Sequence, residues 1–363
     1  MNLYIGLMSG TSMDGIDAAV VDLDTNQLIA GITISYRNKT LKQLNDVLKQ
    51  KNLPLALIPQ LNTLIGQDFA EAVQKLLASA QIPPHAIQAI GSHGQTIAHD
   101  VTVNIPYTFQ LGCAHTIAVR TGITVIADFR TRDLVLGGIG APFAPIFHQT
   151  LFGLRFQDPI AIVNIGGIAN VTFLHQHQVS QGFDTGPGNC LLDYWIQKHL
   201  NRSFDANGEW ASSGTLAQPL LDSLLSDSYF QKLPPKSVGK EYFSPDWLTK
   251  NLTEALKPED VQATLLSLTA LTICNAIKDS PQKPKNVFVC GGGAHNTKLL
   301  QEMARNLTTV NVSSTETMGV DPDFIEAMMF AWLAEKTLTK TPVDLRPITG
   351  ASKPAILGAI YYP

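Results

Sequence analysis

Gly6-Leu7-Met8-Ser9-Gly10-Thr11-Ser12-Met13-Asp14-Gly15-Ile16-Asp17 joins two runs that read as strands, residues 3–7 and 18–23. A turn this rich in glycine lets several backbone N–H groups converge on one anion, because no Cβ blocks the approach. Gly10 and Gly15 are spaced as in the opening of a P-loop, but Ile16-Asp17 stands where Lys-Ser/Thr belongs. A strand, not a helix, follows. The P-loop reading therefore fails, and what remains is a hairpin that grips phosphate by other means. An ordinary hairpin turn would need only one Gly or an Asn-Gly pair.

Outward from this turn, the chain of 363 residues exceeds the usual size of one domain, so two are expected. With 45% hydrophobic and 15% charged residues it can bury large cores. A net charge of −4, with Lys and Arg scattered, excludes an electrostatic case for nucleic acid. Cys113, Cys190, Cys274 and Cys290 lie far apart without a C-x-x-C pair, so neither a disulfide framework nor a zinc site is expected, as in a reducing cytoplasm. No secretory leader is read at the N-terminus. Residues 134–154 are uncharged, yet Gly137, Gly138, Gly140, Pro142 and Pro145 break them too often for a membrane helix. A soluble protein is expected.

Helices are expected over 41–50 and 61–80; in the second, Leu61, Ile65, Phe69, Val73 and Leu76 repeat at the spacing of one buried stripe. A strand at 88–90 leads into a loop at 91–96, and 101–111 reads as an edge strand carrying Pro106. A helix over 114–120 and a strand over 123–127 deliver the segment 128–133. Alternating strands and helices of this kind predict an α/β layer architecture. At mid-chain, 160–164, Gly166-Gly167 and 168–174 repeat the opening pattern of strand, glycine turn and strand, as a duplicated two-domain fold would. A loop at 182–189 opens a helix at 190–200, and 201–258, polar and irregular, read as an insertion or a surface subregion. Helices over 261–277 and 323–339, a strand at 286–290 and an apolar tail at 354–362 complete the chain.

The glycine turns at 6–15, 166–167 and 291–293 each follow a strand, where α/β sheets bind nucleotides. None fits G-x-G-x-x-G. Two hairpins would hold phosphates, and Gly291, Gly292 and Gly293 would let an adenosine lie flat on backbone. Asp184, beside Gly186, Pro187 and Gly188, is the candidate general base, although alone it reads equally well as a helix cap. His93 and Gln95 are candidate hydrogen-bonding partners of a polar substrate. His93 and His99 are wrongly spaced for a metal. Arg130 and Arg132 could together meet an anion, or lie solvated on the surface. Glu326 by itself reads as an ordinary helix residue.

Six motifs in order carry a resemblance: the opening turn, Gly91-Ser92-His93-Gly94-Gln95-Thr96, Ala127-Asp128-Phe129-Arg130-Thr131-Arg132-Asp133, Asn164-Ile165-Gly166-Gly167-Ile168-Ala169-Asn170, Gly182-Phe183-Asp184-Thr185-Gly186-Pro187-Gly188-Asn189 and Cys290-Gly291-Gly292-Gly293-Ala294-His295-Asn296. The chain resembles the anhydro-N-acetylmuramic acid kinases of the sugar kinase, Hsp70 and actin superfamily, from Tyr4 to the tail. The resemblance implies two related actin-like (ribonuclease H-like) α/β domains around a deep cleft, here 1–130 with the C-terminal tail, and 131–363. It implies ATP-dependent phosphorylation of 1,6-anhydro-N-acetylmuramic acid with hydrolysis of the anhydro ring, in murein recycling and amino-sugar catabolism. ATP and Mg²⁺ are the implied cofactors, and a cytoplasmic homodimer the implied state. Metal ligands are left open.

By the same resemblance Asp184 is the catalytic base. Gly10, Thr11, Ser12, Met13, Asp14, Gly15, Ile16 and Asp17 contact ATP, as do Gly166, Gly167, Gly291, Gly292, Gly293 and Asn296; His93, Gln95, Arg130, Asn170 and Glu326 line the sugar pocket. Thr131 stands where relatives are expected to carry a basic residue, and Ile139 where they carry Gln. Two rival readings are a kinase of an ordinary open sugar and a non-catalytic nucleotide switch.

Overall fold

The computed structural model describes the chain except for residues 11, 12, 14, 50–53, 177, 235, 240, 253 and 254. It divides into two compact units, Met1–Phe147 with Phe324–Pro363, and His148–Asp323. The first contains strands β1 (Leu3–Ser9), β2 (Ile16–Asp22), β3 (Gln27–Ile34), β4 (Ile87–Asp100), β5 (Tyr107–Leu111) and β6 (Val125–Ala127). The second contains β7 (Ile160–Ile165), β8 (Ile168–His175), β9 (Gln178–Pro187), β10 (Asn286–Cys290) and β11 (Asn311–Ser314); β12 (Ala359–Tyr361) belongs to the first again.

One sheet runs β12-β6-β4-β1-β2-β3 with β5 on β4, the other β11-β10-β7-β8-β9. Each opens with an antiparallel meander of three strands, β1-β2-β3 and β7-β8-β9. Two parallel strands then extend it from the first strand, β4 and β6 in one unit, β10 and β11 in the other. The repeat expected from two glycine turns is thus five strands long. It is the actin-like α/β arrangement, present twice.

In the first unit every residue of β1 is buried. Successive side chains of a strand point to opposite faces. Leu3, Ile5 and Leu7 join Ile16, Ala18 and Val20 in one core with Leu61, Ile65, Phe69, Val73 and Leu76 of helix Leu57–Ala80. The helix Ile325–Leu338 packs on β1 and β4. A Cβ on Gly6 would lie 1.6 Å from the Ala327 carbonyl oxygen, and one on Gly91 1.9 Å from that of Phe330. Residues 91–96 are accordingly strand, not loop; their small residues admit a helix backbone.

The division read at 130/131 differs from the compact units because residues 131–147 stay with the first. Asp133 accepts hydrogen bonds from Gly140 N–H (2.7 Å) and Thr349 Oγ1 (2.7 Å), and Ile139 N–H donates to Thr349 O (3.1 Å).

The segment 201–258 is no surface insertion. Its short helices put Leu220, Leu221, Leu224, Tyr229 and Leu248, with Phe243, into the core of the second unit. At roughly 1.5–3 kcal/mol for each fully buried large side chain, these six rival a domain's whole net stability of about 5–15 kcal/mol. Helix Pro258–Asp279 is long and apolar enough to cross a membrane, but 72% of its apolar window is buried against this same core.

Candidate active site

The opening turn is supported from beneath by a glutamine. Gln95 is fully buried; its Nε2 donates to Gly10 O (3.1 Å), and its Oε1 accepts from Ser9 Oγ (2.8 Å) and Tyr36 OH (3.0 Å). Gln95, expected to face the sugar, here has its amide engaged in holding the turn. Met13 closes the turn by donating its N–H to Gly10 O (3.2 Å) at a φ of 60°. Ile16, expected to contact the nucleotide, is wholly buried and belongs to the core of the first unit. Asp17 Oδ1 accepts from Thr33 Oγ1 (2.6 Å). Thr11, Ser12 and Asp14 lie outside the described residues.

His93, expected to bind sugar, has both ring nitrogens engaged. Nδ1 lies 2.8 Å from Gly94 O, and Nε2 accepts from Arg130 Nε at 3.0 Å. An acceptor at Nε2 fixes the neutral tautomer with the proton on Nδ1. Burial, reinforced by the Arg130 charge, holds its pKa well below the usual histidine value. His93 thus orients an arginine, with its ring 4.8 Å from that of Phe330. Arg132 is directed to Ile356 O (2.7 Å), whereas Arg130 is held at His93. Burial lowers the Arg130 pKa to about 10, partly opposed by Glu326, and leaves it cationic at neutral pH.

Glu326 sits in the first turn of helix Ile325–Leu338, on the stretch brought to the sheet by Gly6. Burial, with Asp17 adding repulsion and Arg130 opposing, pushes its pKa up to about 7. A carboxyl that keeps its proton to higher pH in the folded state loses stability as pH rises from the ordinary carboxyl value, about 4.5, to 7. Glu326→Gln is expected to flatten that fall, seen as a smaller difference in melting temperature between pH 5 and pH 8 than in the parent protein.

Asp184 lies in β9, not in a loop, and pairs across the sheet with Asn170 of β8, which in turn pairs with Asn164 of β7. Its Oδ2 accepts from Ser237 Oγ (2.7 Å) and Val238 N–H (2.9 Å). Among the described residues no donor reaches Oδ1. Burial raises the Asp184 pKa, while Ser237, Val238 and the Lys236 charge pull it back. Asn170 Oδ1 is buried without a hydrogen-bond partner, an acceptor beside the candidate base that a bound molecule would satisfy.

Glycine turns meet near the same strand ends. Gly166 O accepts from Asn189 N–H (2.8 Å), and Gly167 O from the N–H groups of Gly188 (2.9 Å) and Cys190 (3.1 Å). A Cβ on Gly188 would lie 2.3 Å from Gly166 O, so this junction requires glycine. Gly291 and Gly293 are pressed against Asn164 and Ile165, whereas Gly292 is exposed and offers the open backbone of the turn. Asn296, expected to bind nucleotide, spends Oδ1 as the N-cap of helix Thr297–Asn306, on Leu299 N–H (3.0 Å). Sequence reading missed Ser237, Lys236 and Tyr36, none of which belongs to a motif.

Two units of the same five-strand order, each with a glycine turn at its first strand end, define a protein of the actin-like α/β class. The fold is shared with component A of (R)-2-hydroxyglutaryl-CoA dehydratase from Acidaminococcus fermentans, at a TM-score of 0.50 and 10% identity over 91% of this chain and 96% of that one. The chain belongs to the anhydro-N-acetylmuramic acid kinase family, whose model matches residues 2–363. It is 56% identical over 361 residues to the anhydro-N-acetylmuramic acid kinase of Legionella pneumophila (strain Corby), covering 99% of this chain and 98% of that protein. The enzyme of the same name from Coxiella burnetii (strain Dugway 5J108-111) is 45% identical over 362 residues, 99% and 97% of the two chains.

Proposed function

We propose that the protein transfers the γ-phosphoryl group of ATP to O6 of 1,6-anhydro-N-acetylmuramic acid while water opens the anhydro ring, giving N-acetylmuramic acid 6-phosphate and ADP. The observation that carries this reading is Asp184, a buried carboxyl with Oδ2 held by two donors and Oδ1 reached by no donor among the described residues. O6 of the anhydro sugar is locked in an acetal and has no proton to give up, so the base must act on water. Asp184 Oδ1 takes the proton as the water oxygen bonds to the anomeric carbon. The bond from that carbon to O6 breaks, and O6 bonds to phosphorus as the bond from phosphorus to ADP breaks. The base works as in an inverting glycosidase, with the phosphoryl group in place of the acid.

Phosphoryl transfer is mostly positioning and electrostatics. The turns at Gly10–Gly15 and Gly166-Gly167 would present N–H groups to the phosphates, and Gly292 open backbone to the adenosine. A Mg²⁺ would arrive with the nucleotide and keep most of its waters. Mg²⁺ would neutralise charge on the phosphates. Arg130, oriented by His93, would meet the lactyl carboxylate of the sugar, and Glu326 a hydroxyl. The product would enter murein recycling and amino-sugar catabolism, from a cytoplasmic homodimer.

The test is ADP and sugar phosphate formed from the anhydro sugar and from its ring-opened form, in ¹⁸O-water. Turnover of the anhydro sugar with ¹⁸O at the anomeric carbon is expected. Absence of turnover with ATP and Mg²⁺, or label only in phosphate, overturns the reading.

A further inference from the structure

Helix Ser228–Gln231 and the peptide that leads from it to helix Pro245–Asn251 are attached to Asp184 at four points, one from the helix and three from the peptide. Ser237 Oγ and Val238 N–H donate to Oδ2 (2.7 and 2.9 Å), Asp184 N–H donates to Lys236 O (3.1 Å), and Tyr229 OH donates to Asp184 O (2.8 Å). Tyr229 is fully buried, and Lys236 lies over its ring at 4.9 Å. The two backbone-level bonds fix where the residue stands; the two on Oδ2 fix how its carboxyl is turned. Without them a carboxyl can rotate and exchange its oxygens. Among the described residues Ser237 is the side chain that supplies a donor here, since the Val238 contribution is main-chain and indifferent to the residue.

We propose that Ser237 is a positioning residue for the base: it pins Oδ2 of Asp184 so that Oδ1 alone faces the attacking water. The inference rests on the reading of Asp184 as the base. A hydrogen bond from O–H to an ionised carboxylate is short and strong, and it favours the charged form that a base must have. Burial works against that form and Ser237 offsets part of the cost. Loss of the hydroxyl therefore acts in one direction: Asp184 holds its proton to higher pH, and the acidic limb of kcat moves up.

The experiment is kcat and KM against pH for the full chain, with Mg-ATP and 1,6-anhydro-N-acetylmuramic acid, for the parent protein, Ser237→Ala, Ser237→Thr and Ser237→Cys. Ser237→Ala is expected to lower kcat by up to about tenfold on the acidic side of the limb, the worth of one hydrogen bond to a charged group, with both KM values little changed. Its acidic limb should rise by about one pH unit, the equivalent of the same energy, and much of the rate should return at alkaline pH. Ser237→Thr, which keeps the hydroxyl, should restore the parent profile. Ser237→Cys, a weaker donor of similar size, should fall between the two and carries the test if Ser237→Ala does not fold. A loss that is the same at every pH, or confined to KM, overturns the proposal. Asp184→Asn separates the two levels: if it is inactive while Ser237→Ala titrates like the parent, only this inference fails. If Asp184→Asn turns over normally, both fail.

Discussion

Asp184→Asn is expected to lose at least about 10²–10⁴-fold in kcat, the usual contribution of a positioned general base, while ATP binding measured by calorimetry stays near the parent value. The amide can still accept from Ser237 and Val238 through its oxygen, so the strand and its supports have no reason to move. What is lost is the capacity to take a proton from water. Stability should respond in the opposite direction. Burial raises the Asp184 pKa in the folded protein above its ordinary value, so the folded state binds the proton more tightly than the unfolded chain. Stability therefore falls as pH rises from the ordinary carboxylate range through the raised value. Asn cannot ionise and escapes that fall. The variant should melt at or above the parent temperature at pH 7, with the gap closing towards pH 4. A variant that melts well below the parent at pH 7 would mean that the charge stabilises the site, contrary to this account.

Gly6→Ala should be the most damaging conservative change in the first unit. The added Cβ would lie 1.6 Å from Ala327 O and 2.8 Å from Ala331 N, all of it helix backbone with no flexible side chain to swing aside. Overpacking a core costs about 1–3 kcal/mol when side chains can adjust; here a helix must lift from its sheet, and a loss of at least ~3 kcal/mol is expected. Denaturant midpoints measure it, and an unchanged midpoint would refute so close a contact. Because Glu326 stands one residue from Ala327, the displacement should also raise KM for the sugar.

These two residues show what was legible in the sequence. Asp184 stood out by its company of Gly186, Pro187 and Gly188, yet that company reads as a loop, and it is the ladder to β8 that makes it a strand. Residues 91–96 misled for a related reason. Small and polar side chains resemble a turn, but Ser92, His93 and Gln95 are buried by neighbours distant in sequence. The stripe in helix Leu57–Ala80 was readable because it spans many turns; the short helices of 201–258 are too brief for a period to emerge. The bonds of Gln95 to Tyr36 and of His93 to Arg130 are long-range facts that no local pattern carries. Ser237 meets Asp184 across 53 positions of chain, and no local pattern announces such a pair.

The helix that Gly6 and Gly91 admit comes from the far end of the chain, and this has a consequence during synthesis. Strands β1 to β6 leave the ribosome first, but the residues that cover one face of their sheet, 324–363, come last. At about 5–20 residues per second, translating the intervening unit takes on the order of ten to thirty seconds. Through that interval the nascent sheet has a bare face, and the later unit, being continuous in sequence, can finish folding before the earlier one. The protein is made front to back, yet its front half closes last.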